Sequence, residues 1–286
     1  MEYKGNGVAS LMELNELLSK VQEELGVSIP NIYEGGVFYH SGPKTIESVE
    51  SKMLRKQNDR PSTLESIPDL GRGAYVAGDG GFPELIDITK KTAEQVQVAG
   101  HFTENPNSKY LNVNLNMITD GIPTEMQLFV SNMTFYAKKI ADECYKKSRH
   151  YKLITDQMSA LGSPDKMKKH DREMYNNASA QRTYYEGLER KIHEMVRRVV
   201  KLEQNQDQLK QIYKITKREL GQSLRNKSPH KKLLRQNFSD GFGGINRTAL
   251  KKVYSQLEKP INESQDKLCK IAEKSGAIKS EFIQCK

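Results

Sequence analysis

The sequence predicts an α+β fold, a mixed sheet flanked by helices and followed by a mainly helical C-terminal region. Three observations carry the prediction. After an N-terminal amphipathic segment, the periodic stretches up to residue 130 run helix, strand, helix, strand, strand, strand. Residues 109–130 hold two runs of alternation around a turn signal. From Phe129 onward apolar residues recur at mixed spacings of three and four, without the strict heptads of a coiled coil.

Residues 9–25 predict an amphipathic helix on Leu11, Leu14, Leu17, Leu18 and Val21, and "VSIPNIYEGG" a Pro/Gly-containing connection. In "GPKTIESVESKMLRKQ", Ile46, Val49 and Met53 follow helical spacing, while Lys44, Ser48, Lys52 and Lys56 step by four along another face. Pro43 fits the start of that helix. "GRGAYVAGD" (71–79) reads as a short strand, "ELIDITKKTAEQ" as a helix and "VQVAGHF" as a strand. In "KYLNVNLNMITDGIPTEMQLFV", Val113, Leu115 and Met117 alternate with Asn112, Asn114 and Asn116, so Tyr110 and the asparagines share the face away from the core. Met126, Leu128 and Val130 alternate likewise with Glu125, Gln127 and Phe129. Asp120-Gly121 supplies the turn, in a loop read as longer than two residues because Ile122-Pro123 follows. "MTFYAKKIADECYKKSRHYKLI" and a stretch from about Tyr175 to Leu224 read as helices, and "NKSPHKK" and "SDGFGGINR" as breaks.

A chain of 286 residues with 36% hydrophobic content and a mean hydropathy of -0.72 predicts a polar, soluble protein with material for a core. No apolar run nears 18 residues, and "MEYKGNGVASLMELNELLSKVQEEL" carries acids where a leader is apolar, so neither a membrane span nor a cleaved signal peptide is expected. Cys144, Cys269 and Cys285 lack metal-ligand spacing and leave an odd thiol, which favours a reducing, cytoplasmic setting; a delivered effector without a leader fits too. Cys285, beside the C-terminus, is expected to be accessible. The net charge of +9 is unevenly divided. Residues 151–286 hold 29 Lys and Arg against 16 Asp and Glu, and residues 1–150 hold 16 against 20. We therefore expect a unit over 1–150 and a basic, mainly helical appendage over 151–286, the latter either suited to a polyanion or simply presenting solvated helix faces.

Asparagine is depleted in strands, so three on one face of one strand invite a search for chemistry beyond a wet sheet surface. Lys44, Ser48 and Lys52, with Arg55 beside them, predict a cationic strip suited to a triphosphate, Arg55 being able to stack on a base; a solvated lysine face is the alternative. In "IPDLGRGAYV", Asp69 precedes a strand and offers a ligand for Mg²⁺ or a turn cap. His170-Asp171 reads as polar helix surface.

The order "KTIESVESKMLRK", "IPDLGR", "KYLNVNLN", "EMQ", "KKIADECYKKSR" resembles the synthetase domain of the RelA/SpoT alarmone synthetases, especially stand-alone and toxin-like members, over roughly residues 40–150. The resemblance implies that fold and an ATP-dependent transfer of the β,γ-diphosphate to a ribose 3'-hydroxyl. It places Lys44, Ser48 and Lys52 on ATP phosphates and Arg55 near adenine. Asp69 would hold Mg²⁺, Arg72 would lie by the donor, and Tyr110 would stack on the acceptor base. Asn114 takes the family's His/Asn position, and Glu125 binds the metal or accepts the hydroxyl proton, with Gln127 beside it. The polar strand face would then be the floor of a nucleotide cleft. Gly42, Leu111 and Asp142 depart from the family's residues, while Tyr145 and Arg149 match its Y...R ending. No hydrolase half is expected before residue 40. The acceptor implied is a purine nucleotide, GDP/GTP or ADP/ATP. The 3' end of tRNA held by the basic region, or a non-catalytic nucleotide- or partner-binding role, are the alternatives.

Overall fold

The computed structural model describes residues 6–27, 37–40, 42–56, 61–77, 82–95, 97–101, 112–129, 131–160, 162–202, 214, 229–274 and 283–284. In chain order the elements are α1 (Asn6–Leu25), β1 (Val37–His40), α2 (Ile46–Lys56), a 3-10 turn (Leu64–Ser66), β2 (Gly71–Val76), α3 (Phe82–Gln95), β3 (Gln97–His101), β4 (Asn112–Thr119) and β5 (Ile122–Phe129). Then come α4 (Asn132–Ala160), a second 3-10 turn (Pro164–Lys166), α5 (Lys169–Leu202), α6 (Lys231–Leu234), α7 (Arg247–Lys274) and β6 (Ile283–Gln284). The α+β class with a mixed sheet is as expected. No described helix is long and apolar enough to cross a membrane.

The chain divides into two compact units that interleave in sequence. One comprises Met1–Ile32, Pro106–Leu111 and Met133–Asn205; the other comprises Tyr33–Asn105, Asn112–Asn132 and Gln206–Lys286. These boundaries run differently from the division of charge at residue 150.

The helical unit is built on α1, α4 and α5. Leu14 and Leu18 of α1 are fully buried and Val21 nearly so, as their spacing predicts. Tyr136 of α4 is hydrogen-bonded to Gln22 of α1, and Tyr151 of α4 stacks on Tyr185 of α5 with ring centroids 6.0 Å apart. Cys144 is a free thiol, buried and pushed up to about 12 by that burial and by the nearby Glu189 and Glu24.

The second unit holds a six-stranded sheet of order β3-β4-β5-β2-β1-β6. β3, β4 and β5 are antiparallel neighbours, β5 and β2 are parallel, β2 and β1 antiparallel, and β1 and β6 parallel. The strand "VFYH" of β1 was not legible, because four residues are too few to show a period. The β4–β5 connection is tighter than expected. Thr119 pairs with Ile122, so Asp120-Gly121 is a two-residue turn with both φ positive, 50° and 83°. Pro123 is tolerated in the strand because β2 begins opposite Thr124, so no β2 residue stands opposite Pro123 to call for an N–H.

The core of this unit draws on distant segments. Val49, Met53, Leu64, Ile67, Leu70 and Ile122 cluster with Leu234, Phe238, Leu250, Val253, Leu257 and Ile261, all at most 4% exposed. Helix α7 thus shares a core with α2 and β5, and it also packs on β2 and β1. Its approach to β2 is close. A Cβ on Gly71 would stand 3.0 Å from Ser264 Oγ. Cys269 on α7 is disulfide-bonded, against the expectation of reduced thiols, and Cys285 lies outside the described residues.

Candidate functional site

The pleat divides the sheet as the alternation predicts. Val113, Leu115, Met117, Met126 and Leu128 are at most 2% exposed, whereas Asn114, Asn116, Glu125 and Gln127 are half-buried. Asn112 and Phe129 on the polar side are buried, and Val130 lies outside the described residues. Register sets the polar residues in rows. Arg72 of β2, Glu125 of β5 and Asn116 of β4 stand side by side. One pleat further, Ala74, Gln127 and Asn114 form a second row, extended in register by Tyr39 of β1 and His101 of β3.

Gln127 Nε2 donates to Glu125 Oε2 at 2.8 Å, and Asn112 Nδ2 donates to Asn114 Oδ1. Two atoms of the first row are left over. Arg72 Nε and Asn116 Oδ1 are both buried without a hydrogen-bond partner among the described residues. A buried donor and a buried acceptor left unpaired each cost about 1–3 kcal/mol, which a polar ligand on this row would recover.

Beside Arg72 in sequence lies a buried ion cluster. Asp69 accepts one lysine on each carboxylate oxygen, Lys44 Nζ at 2.8 Å and Lys52 Nζ at 2.7 Å. Burial would raise the Asp69 carboxyl, but the charges and hydrogen bonds of Lys44 and Lys52 outweigh it and hold the group below the usual carboxylate range. Lys44 is lowered, because burial outweighs the attraction of Asp69 and because Lys52 and Arg72 repel it. Asp69 is thus the counter-charge of two lysines.

The predicted strip of lysines is only partly assembled. Helix α2 begins at Ile46, with Thr45 Oγ1 accepting the Ser48 N–H at 3.4 Å, so Thr45 and not Pro43 marks the start. Lys44 therefore precedes the helix, and the step of four does not carry from it to Ser48. Ser48 is exposed and bonded to Thr45, and Arg55 is exposed with its Nε on Ser51 O of the same helix. Tyr110 and Leu111 lie outside the described residues. Asp142 pairs with Lys138 on α4, and Arg149 lies over the Tyr145 ring with 5.5 Å to its centroid.

Two site residues escaped the sequence reading. Tyr254 donates its hydroxyl to the Lys44 carbonyl, and Gln265 Nε2 donates to the Arg72 carbonyl at 3.1 Å. Helix α7 thereby holds the main chain of both cations from 210 and 193 residues away. A signal was present. Tyr254, Ser264 and Gln265 fall on the buried stripe of Leu250, Val253, Leu257, Ile261 and Leu268, where a polar side chain needs a partner. Comparison with family models, curated proteins and solved structures gives no match to this chain.

Proposed function

We propose that the protein is a pyrophosphokinase that moves the β,γ-diphosphate of ATP onto the ribose 3'-hydroxyl of a purine nucleotide. The observation that carries this reading is the row Arg72–Glu125–Asn116, polar, half-buried and with two unpaired buried atoms, with Asp69 just before Arg72 in the chain holding Lys44 and Lys52. Phosphoryl transfer asks for this, since catalysis lies in positioning and charge rather than in a covalent nucleophile. The donor, the transferred group and the acceptor hydroxyl are those that the resemblance of the quoted segments to RelA/SpoT synthetases implies.

In this mechanism Lys44, Lys52 and Arg72 bind and orient the phosphates, and Ser48 and Arg55 extend the donor surface toward the nucleoside. The acceptor rests against Asn114 and Gln127. Glu125 takes the proton of the 3'-hydroxyl, whose oxygen bonds to the β-phosphorus while the bond from that phosphorus to the α,β-bridging oxygen breaks and AMP leaves. Glu125 and Asp69 carry hard oxygens of the kind Mg²⁺ takes beside phosphate oxygens and would hold the ion, Asp69 doing so once the phosphates draw Lys44 or Lys52 off its carboxylate. Bound there, it supplies charge neutralisation on the phosphates.

The test is incubation of purified protein with γ-labelled ATP, Mg²⁺ and, in turn, GDP, GTP, ADP, ATP and bulk tRNA. Label should pass to one acceptor in the wild type. Glu125→Gln should reduce transfer at least ~100-fold at unchanged thermal stability, the scale of a positioned base. Near-normal transfer by this variant removes Glu125 from the mechanism, and wild-type binding of ATP without transfer to any acceptor rejects the enzyme reading.

A further inference from the structure

The second sequence break, "SDGFGGINR", is an ordered loop that holds one aromatic ring in solvent. Phe242 is 97% exposed. Its neighbours are fixed around it. Asp240 Oδ1 accepts the N–H groups of Phe242 and Gly244 at 2.9 and 2.8 Å, and Asp240 N donates to Gly244 O at 3.1 Å. Gly241 and Gly243 take φ of 81° and 83°, which the turn requires on either side of the ring. The stalk is rooted in the core. Phe238 is 1% exposed, donates its N–H to Ser62 O and accepts from Asn246 N, and Ser239 bridges to Ile245. An exposed phenylalanine on so constrained a loop is presented, with little conformational entropy left to lose on binding.

The surroundings in sequence are cationic. Between Pro229 and Leu257 six lysines and arginines stand against one acid, Asp240, whose Oδ1 serves the loop's own N–H groups. Arg235 and Arg247 are engaged with Glu65 and with Glu47 and Glu50. Lys231, Lys232, Lys251 and Lys252 are exposed and have no ion pair with a described residue. An open hollow of about 740 Å³ is lined by Pro229, Lys231, Lys232, Arg235 and Gln236, just ahead of the loop's stalk.

We infer that the Phe242 loop and the lysines flanking it form a binding surface for single-stranded nucleic acid, with Phe242 stacking on an unpaired base and Lys231, Lys232, Lys251 and Lys252 meeting phosphates. A polyanion matches the charge. A protein partner would want several apolar residues at the centre of its contact, whereas here one ring stands among serine, aspartate and glycine. A ring at the tip of a narrow loop also needs an open base face, which a duplex does not offer. The inference does not depend on the reaction proposed above.

The experiment is fluorescence anisotropy of the full chain with a labelled oligouridine of about 20 nucleotides, a duplex of the same length and phosphatidylserine vesicles, from about 50 to 200 mM salt. Oligouridine should bind, more tightly than the duplex and less tightly as salt rises. Phe242→Ala should weaken binding roughly 5- to 100-fold with the salt slope unchanged, and Phe242→Tyr should restore it. Lys231→Gln with Lys232→Gln should flatten the log-log salt slope by roughly 1.4, two single-strand phosphate contacts. Since all three side chains are exposed, these variants should melt like the wild type. Absence of oligouridine binding at low salt, binding indifferent to Phe242→Ala, or Phe242-dependent capture by vesicles instead of RNA would each overturn the inference.

Discussion

Asp69 binds a different lysine on each carboxylate oxygen, so replacing it with asparagine leaves two largely buried ammonium groups without their counter-charge. Breaking such a buried pair costs about 3–5 kcal/mol, far more than loss of a turn cap. Urea denaturation of Asp69→Asn should show that loss near neutral pH. Because the carboxyl is held below its usual value, its contribution is complete above about pH 4, the unfolded value, and disappears as pH falls through the lower folded value. The gap between wild type and Asp69→Asn should therefore narrow on acidification. Lys44, lowered by burial, acts in the opposite sense: its cost is present below its folded value and is relieved as pH rises, so it shapes only the alkaline limb. On the proposed reaction, the same variant should shift the magnesium titration of turnover to higher concentration, which a purely structural role would leave in place.

At the scale of elements, β2 depends on the absence of side chains at two positions. A Cβ on Gly73 would collide with the ring of Phe38, itself fully buried on β1 and unable to swing away. Gly73→Ala should cost about 1–3 kcal/mol by overpacking, read as a lowered denaturation midpoint. Helix α7 offers a gentler probe. Tyr254→Phe removes the donor to the Lys44 carbonyl, which should cost about 1 kcal/mol and, on the proposed reaction, raise the KM for ATP more than it lowers kcat. An unchanged KM together with the expected loss of stability would limit Tyr254 to packing.

On the scale of the whole molecule, the distribution of the core matters more than the distribution of charge. Half of the twelve residues in the core cluster of the sheet unit follow residue 228. Each contributes roughly 1.5–3 kcal/mol on burial, against a typical net stability of about 5–15 kcal/mol. A chain ended at residue 228 should therefore lose cooperative unfolding of the sheet, measured by circular dichroism and amide exchange. Retention of a sharp transition by that chain would mean that α6 and α7 are dispensable to the sheet.

The sequence by itself determined the α+β class, the buried and polar faces of β4 and β5, the apolar stripe of α1 and the helical character of α4 and α5, because period 2 and period 3.6 are local records of which face meets water. It also offered Lys44, Ser48, Lys52 and Arg55 as one cationic strip and Asp69 as a separate polar position before a strand. Only the tertiary structure decided that both lysines close on Asp69 while Ser48 and Arg55 stay outside, since this turns on where α2 begins and on a contact across 25 residues. It likewise decided that the turn at Asp120-Gly121 is a two-residue hairpin, closed by the pair Thr119 and Ile122, with Pro123 tolerated because β2 starts at Gly71 opposite Thr124. The places of Tyr254 and Gln265 behind the site, and the exposure of Phe242, belong to the same class. Periodicity says that a face is buried or exposed; it carries no information on which distant segment covers it, and that pairing is set by packing of the whole unit.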